Sequence, residues 1–214
     1  MEKNLQDSRK SYEKDALLES NLDRDPFRTF ADWFQDAEND TAVEETNAMS
    51  VSTLGADGFP KTRIVLLKEI VENSFIFYSN YSSDKAEAMD QHPQICIHFF
   101  WPSLERQVII KANVVKVSVE KSADYFHSRP RGSQMGAWAS NQSGFISSRE
   151  ELDDQLSSIE KRFEGIDIPL PEFWGGYRCT PVSFEFWQGR PNRMHDRILY
   201  TQSSEAWEFK RLQP

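Results

Sequence analysis

The sequence predicts a mainly β protein with peripheral helices, its strands antiparallel and closing toward a barrel. Three observations point there. Apolar residues alternate with a period of two in most segments after Ala48, the connections between those segments are short, and helical patterns occur only as single insertions among them. A chain of 214 residues fits one domain, and 15 Phe, 6 Trp and 6 Tyr supply large core side chains although apolar residues make up only 38%.

Residues 1–24 are charged and weakly periodic, which predicts a mobile arm with helical tendency ahead of a single domain over 25–214. Asp25-Pro26 opens a helix, a capping residue followed by proline at the first helical position, and Phe27, Phe30, Trp33, Phe34 and Ala37 form its apolar stripe. Strands are predicted over Ala48–Leu54 and Lys61–Lys68, around the Asp57-Gly58 turn signal, then over Ser74–Ser79, Ile95–Phe100 and Arg106–Val119. A short helix begins near Ser83 and must end before Pro93; another spans about Val119–His127 and stops near Pro130. Ser148-Arg149-Glu150-Glu151 is a capping box, with Leu152, Leu156, Ile159 and Phe163 at helical spacing behind it. Val182–Gln188, Arg193–Thr201 and Ala206–Leu212 close the chain as strands.

Lys and Arg number 25 against 34 Asp and Glu, a formal charge of −9, which excludes a general polyanion binder such as a nucleic-acid protein. The charge is unevenly spread. Residues 1–50 hold 13 acidic and 6 basic residues, whereas residues 101–149 hold 7 basic and 3 acidic ones. Cys96 and Cys179 form no CxxC pair, no apolar run reaches the ~20 residues of a membrane span, and the polar start is unlike a signal peptide. A cytoplasmic protein with no membrane partner is expected.

Phosphate loops, Rossmann glycines and HExxH are absent from the sequence, and His92, His98, His127 and His195 lack metal-ligand spacing, so no metal is expected. The residues with chemical promise are cations and hydroxyls. If the segment after Pro191 is extended, Arg193, His195 and Arg197 share one face; an exposed strand face is the alternative. Tyr125, Arg129 and Ser133, spaced four and four, could clamp a phosphate, although the end of a helix is a poor place for an anion. Arg63 and Lys68 bound the apolar RIVLLK run but face opposite sides of a regular strand.

Taken together, RIVLLK (63–68), Phe77–Asn80, Leu104–Val108, YFHSRPRGS (125–133), Gly136–Trp138, Gln142-Ser143, PLPEFWGGY (169–177) and Phe184–Arg197 resemble the pyridoxine/pyridoxamine 5′-phosphate oxidases. The likeness runs from about residue 25 to the C-terminus, more faintly in the arm. It implies an FMN-binding split β-barrel and a homodimer with FMN at the interface. It also implies oxidation of pyridoxine or pyridoxamine 5′-phosphate to pyridoxal 5′-phosphate, by hydride transfer to the flavin, with O2 reduced to hydrogen peroxide. By position, Arg63 and Lys85 look like ligands of the FMN phosphate. Ile64, Val65, Leu66, Leu67, Lys68, Tyr78, Ser79, Gln107, Gln142, Ser143, Trp187 and Arg197 look like the rest of the flavin site. Lys68, Tyr125, Arg129 and Ser133 look like the clamp for the substrate phosphate. Arg193, Met194 and His195 would lie against the substrate ring, with Arg193, His195 and Arg197 as the catalytic set, and Arg9 and Tyr12 would close over it as a lid. Asp84 departs from the pattern, standing where the family commonly has Arg, which predicts weaker FMN retention. The competing readings are a related FMN oxidase of another ring system, such as a phenazine precursor, and a flavin-binding module without turnover.

Overall fold

The computed structural model describes residues 3–203 and 206–214. The chain forms two compact units. The first draws on Met1–Met49, Ile97–Lys111 and Val182–Pro214; the second comprises Ser50–Cys96 and Ala112–Pro181. The strand order of the sheet is β2-β1-β5-β6-β7-β4-β3, where β1 is Ala48–Leu54, β2 Pro60–Leu66, β3 Glu69–Val71, β4 Ser74–Asn80, β5 Gln94–Trp101, β6 Arg106–Lys116 and β7 Trp174–Gln188. Strands β8 (Asp196–Ser203) and β9 (Ala206–Leu212) extend it, β8 pairing with β7 and β9 with β8.

In the first unit, α1 (Pro26–Asn39) starts as predicted: the Asp25 carboxylate accepts the Phe27 N–H at 3.0 Å, a cap that contributes about 1 kcal/mol. Its stripe buries Phe30, Trp33 and Ala37, while Phe27 and Phe34 are half-buried. Trp33 meets Phe186 edge-on at 5.2 Å and Phe30 meets Phe99 at 5.2 Å, so period-two positions of the strands supply the other half of this core. Strands β7 and β8 run antiparallel with Trp187 opposite Arg197, and β9 brings Leu212 opposite Arg197.

In the second unit, β4 is buried along nearly its whole length and pairs antiparallel with β7 from Phe75↔Cys179 to Asn80↔Trp174. Helix α2 (Asp84–Gln91) lies between β4 and β5, and α3 (Val119–Ser128), α4 (Arg131–Ala139) and α5 (Arg149–Arg162) follow β6. Ser148 caps α5 by accepting the Glu151 N–H at 3.2 Å, as the capping box predicts. Phe126, Phe163, Ile168 and Trp174 form a small core of their own.

Four elements differ from expectation. The arm is extended rather than helical, with one 3₁₀ turn at Glu19–Asn21. Strand β3 was hidden because its hairpin turn uses Glu72 and Asn73, both left-handed at φ 49° and 55°, without the glycine that marks such turns. Helix α4 carries two glycines and buries no residue, so no apolar stripe announced it. Strand β7 begins eight residues before Val182 and runs through Gly175-Gly176. Those glycines are there for close approach: a Cβ on Gly176 would lie 2.7 Å from Tyr78 Cε1, and one on Gly175 would collide with the Tyr81 hydroxyl.

The extended segment expected from Arg193 is also corrected. Pro191–Arg193 is a 3₁₀ turn with Asn192 and Arg193 left-handed at φ 56° and 61°, and β8 starts only at Asp196. Proline at the first turn position favours the turn over the strand, so Arg193, His195 and Arg197 do not share a strand face.

Candidate active site

A cavity of about 950 Å³ opens in the second unit, within the range of small-molecule and cofactor sites. Strand β2 brings Arg63, Ile64, Val65 and Leu66 to it, and Lys68 follows where the strand has ended. The Lys68 N–H donates to Ile76 O at 2.8 Å, outside the regular ladder, which is how Arg63 and Lys68 both reach one cavity despite their spacing. Leu67 is buried and does not line it.

One end of the cavity is cationic. Lys85 is buried, and its Nζ donates to three neutral oxygens: Ser79 Oγ at 3.1 Å, Ser83 Oγ at 3.0 Å and Gln142 Oε1 at 2.9 Å. Burial and the neighbouring Arg63 push its pKa down to about 8. Arg63 is fixed by donating to Val51 O at 3.0 Å and Thr53 Oγ1 at 2.9 Å. Asp84 is the one carboxylate among the described lining residues, and it is engaged by Lys61 at 2.9 Å, which holds it ionised. Ser143, left-handed at φ 72°, accepts the Asp84 N–H at 3.3 Å and so ties the loop after α4 to the start of α2.

A second group of lining residues is aromatic and cationic. Tyr78 stacks on Tyr125 with ring centroids 3.9 Å apart and on Trp174 at 5.6 Å, and the Arg129 guanidinium lies 4.7 Å from the Trp174 ring centroid. Tyr78 spends its hydroxyl on Glu69 at 3.1 Å, in contact with Lys121 through the same carboxylate. Arg129 Nη1 is buried with no hydrogen-bond partner among the described residues. Arg129 ends α3, while Ser133 sits in the first turn of α4, which has no side-chain cap. The favourable end of α4 thus offsets the unfavourable end of α3 that the spacing warned of. A half-buried guanidinium with an unpartnered buried Nη1 near an uncapped helix start, and a buried ammonium bonded to neutral oxygens, are arrangements that an anion completes. Two such places in one cavity fit two phosphates.

The remaining predicted residues lie in the first unit. Trp187 and His195 have ring centroids 4.7 Å apart, and Tyr12 of the arm lies 5.7 Å edge-on from each. Arg197 is committed to Glu185, through Nε and Nη2 at 2.8 Å, and to Gln213 O at 2.9 Å. Gln107 bonds His98 at 3.0 Å, and Arg193 and Met194 are exposed. Arg9 donates to Gln6 O at 3.1 Å and is not brought to the Tyr12 cluster.

Several residues of consequence escaped the sequence reading. Glu105, nearly inaccessible at 2%, accepts the N–H groups of Glu13 at 2.8 Å and Lys14 at 3.1 Å and the Lys10 ammonium at 3.1 Å. Arg106 binds Asp15 and Asp36, each at 2.6 Å. Glu105 and Arg106 both fall within the Leu104–Val108 motif, which carried the resemblance but gave neither residue a role. Trp174, visible as an aromatic beside two glycines, forms the cavity wall, and Lys61 is the partner of Asp84.

Residues 35–167 match the family model "Pyridoxamine 5′-phosphate oxidase". The chain belongs to the pyridoxine/pyridoxamine 5′-phosphate oxidase family. Residues 174–214 match the family's "Pyridoxine 5′-phosphate oxidase C-terminal dimerisation region". Proteins called pyridoxine/pyridoxamine 5′-phosphate oxidase are similar throughout: that of Christiangramia forsetii is 54% identical over 214 residues, all of both chains, and that of Flavobacterium johnsoniae 53% over 97% of this chain and 98% of its own. Among solved structures, PhzG from Burkholderia lata, in complex with tetrahydrophenazine-1-carboxylic acid, superposes with a TM-score of 0.85 at 23% identity, over 94% of this chain and 98% of its own. The fold is accordingly the antiparallel split barrel of this oxidase family. Among the described residues no helix is long and apolar enough to cross a membrane.

Proposed function

We propose that this protein oxidises pyridoxine 5′-phosphate and pyridoxamine 5′-phosphate to pyridoxal 5′-phosphate with FMN as cofactor, O2 as electron acceptor and a homodimer as the working unit. The observation that carries the reading is that Arg63, Lys85 and Arg129 line one cavity, with Lys85 Nζ bonded to neutral oxygens and Arg129 Nη1 buried without a partner among the described residues, which supports two anion sites. Relatives more than half identical over the full chain bear the corresponding name.

Arg63, Lys85, Ser79, Gln142 and Ser143 would hold the FMN phosphate, with Ile64, Val65, Leu66 and Tyr78 lining its path. FMN held there would supply the hydride-accepting chemistry and the reduction of O2 to hydrogen peroxide. The chain's own part is placement and charge. Lys68, Tyr125, Arg129 and Ser133 would grip the substrate phosphate, so that binding far from the reacting carbon orients the ring. Gln107, Trp187 and Arg197 would complete the flavin site and Arg193, Met194 and His195 the face against the substrate ring. The Arg197–Glu185 pair keeps that guanidinium in a fixed pose. Tyr12, already against His195, would cover the substrate from the arm, with Arg9. An uncharged ring substrate would leave the buried Arg129 Nη1 without a partner, which favours an anionic one.

The test is the visible absorption spectrum of the purified protein, followed by peroxide release on adding pyridoxine 5′-phosphate. A flavin spectrum and stoichiometric peroxide are expected; a colourless protein that stays inert with added FMN overturns the reading.

A further inference from the structure

We propose that His195 works as a neutral hydrogen-bond donor, its proton on Nε2, and not as the proton acceptor of the reaction. The inference rests on the function proposed above for its placement at the substrate, but its physical basis is independent of it. The backbone N–H of Arg190 donates to His195 Nδ1 at 3.1 Å. A backbone amide has no second role, so Nδ1 must present its lone pair. Placing a proton on Nδ1 would set two donors against each other at that distance.

The amide is firmly held. Gly189 N–H donates to Glu105 O at 2.8 Å, and a Cβ on Gly189 would lie 2.8 Å from Tyr12 Cγ, so the chain enters the turn along one path. The 3₁₀ turn Pro191–Arg193 then returns the chain to His195. The ring is flanked by Trp187 and Tyr12, and the charged groups around it are Arg190, Arg193 and Asp196. Asp196 is the acidic side chain whose charge favours an imidazolium there, and it is already engaged, by Leu17 N–H at 3.0 Å and Arg211 at 2.6 Å. Burial and Arg193 hold the His195 pKa below its usual value, against a smaller opposing pull from Asp196.

The ligand that such a group recognises is a lone-pair-bearing substituent on the substrate ring, the 3-oxygen or the C4′ substituent of a 3-hydroxypyridine. The proton that an alcohol substrate releases then passes to water rather than to the imidazole.

Two measurements test this on the FMN-loaded protein. In two-bond proton–nitrogen correlation spectra of protein labelled on histidine, the His195 ring, assigned by its loss in His195→Gln, is expected to show a protonated Nε2 and a bare Nδ1 near neutral pH. A protonated Nδ1, alone or with Nε2, overturns the proposal. In turnover, His195→Gln keeps an amide donor but accepts no proton, so it should lose about tenfold or less where His195→Phe loses about a hundredfold or more. Equal losses in the two variants overturn it. Wild-type protein that releases no peroxide defeats the proposed function alone, since the spectra read the tautomer without turnover.

Discussion

Arg129 and Lys85 are the residues on which binding turns, because Lys85 and the Nη1 atom of half-buried Arg129 are out of water and neither is paired with a carboxylate among the described residues. Charge-assisted bonds contribute about 1.5–3 kcal/mol, so Arg129→Ala should raise KM for the phosphorylated substrates about 10- to 100-fold, with a smaller change in kcat. Steady-state kinetics with pyridoxine 5′-phosphate checks this, and an unchanged KM removes Arg129 from the clamp. Lys85 makes a prediction about pH. Its pKa without an anion is about 8, lowered by burial and by Arg63, whereas a phosphate beside it favours the charged form. Above that pH the free protein carries neutral Lys85 and must take up a proton to bind FMN. The association constant should therefore be flat at lower pH and fall up to about tenfold per unit above it. Fluorescence-quenching titrations across that range would show the bend; a flat profile would mean that Lys85 does not meet the phosphate. Asp84 needs a milder view than its sequence position suggested, since Lys61 neutralises it at 2.9 Å. Both groups are about half exposed, so Asp84→Asn should tighten FMN binding only a few-fold.

At the scale of elements, the arm shows how much is achieved without regular structure. Residues 10–19 are held by Glu105, Arg106, Asp196 and Arg211, the last bidentate to Glu19, whose pKa is lowered to about 2 mainly by that bond. Glu105→Ala removes the acceptor of two arm amides and one ammonium. Hydrogen exchange at Glu13 and Lys14 should then speed up while α1 stays protected; unchanged exchange would show that the arm is held by other groups. Helix starts were legible because capping is local: Asp25 and Ser148 act on N–H groups two and three residues away. The run of β7 through Gly175-Gly176 was not, because its cause lies in side chains distant in sequence, Tyr78 and Tyr81.

For the whole molecule, residues 174–214 match a dimerisation-region model. Sedimentation of the loaded protein should give a dimer with one FMN per chain, and dilution into monomer should release flavin. A stable monomer that retains FMN would separate cofactor binding from assembly.

Strand periodicity, caps, charge balance and the motif set were properties of the sequence alone. They rest on neighbours within a few residues, or on a pattern long enough to be specific, and they were sufficient for fold class and family. The tertiary structure decided which cations lack partners, that Asp84 is neutralised, that β2 ends early enough for Arg63 and Lys68 to share a cavity, and that His195 accepts from Arg190. Hydrogen bonds and desolvation depend on distance in space, which a linear pattern does not encode.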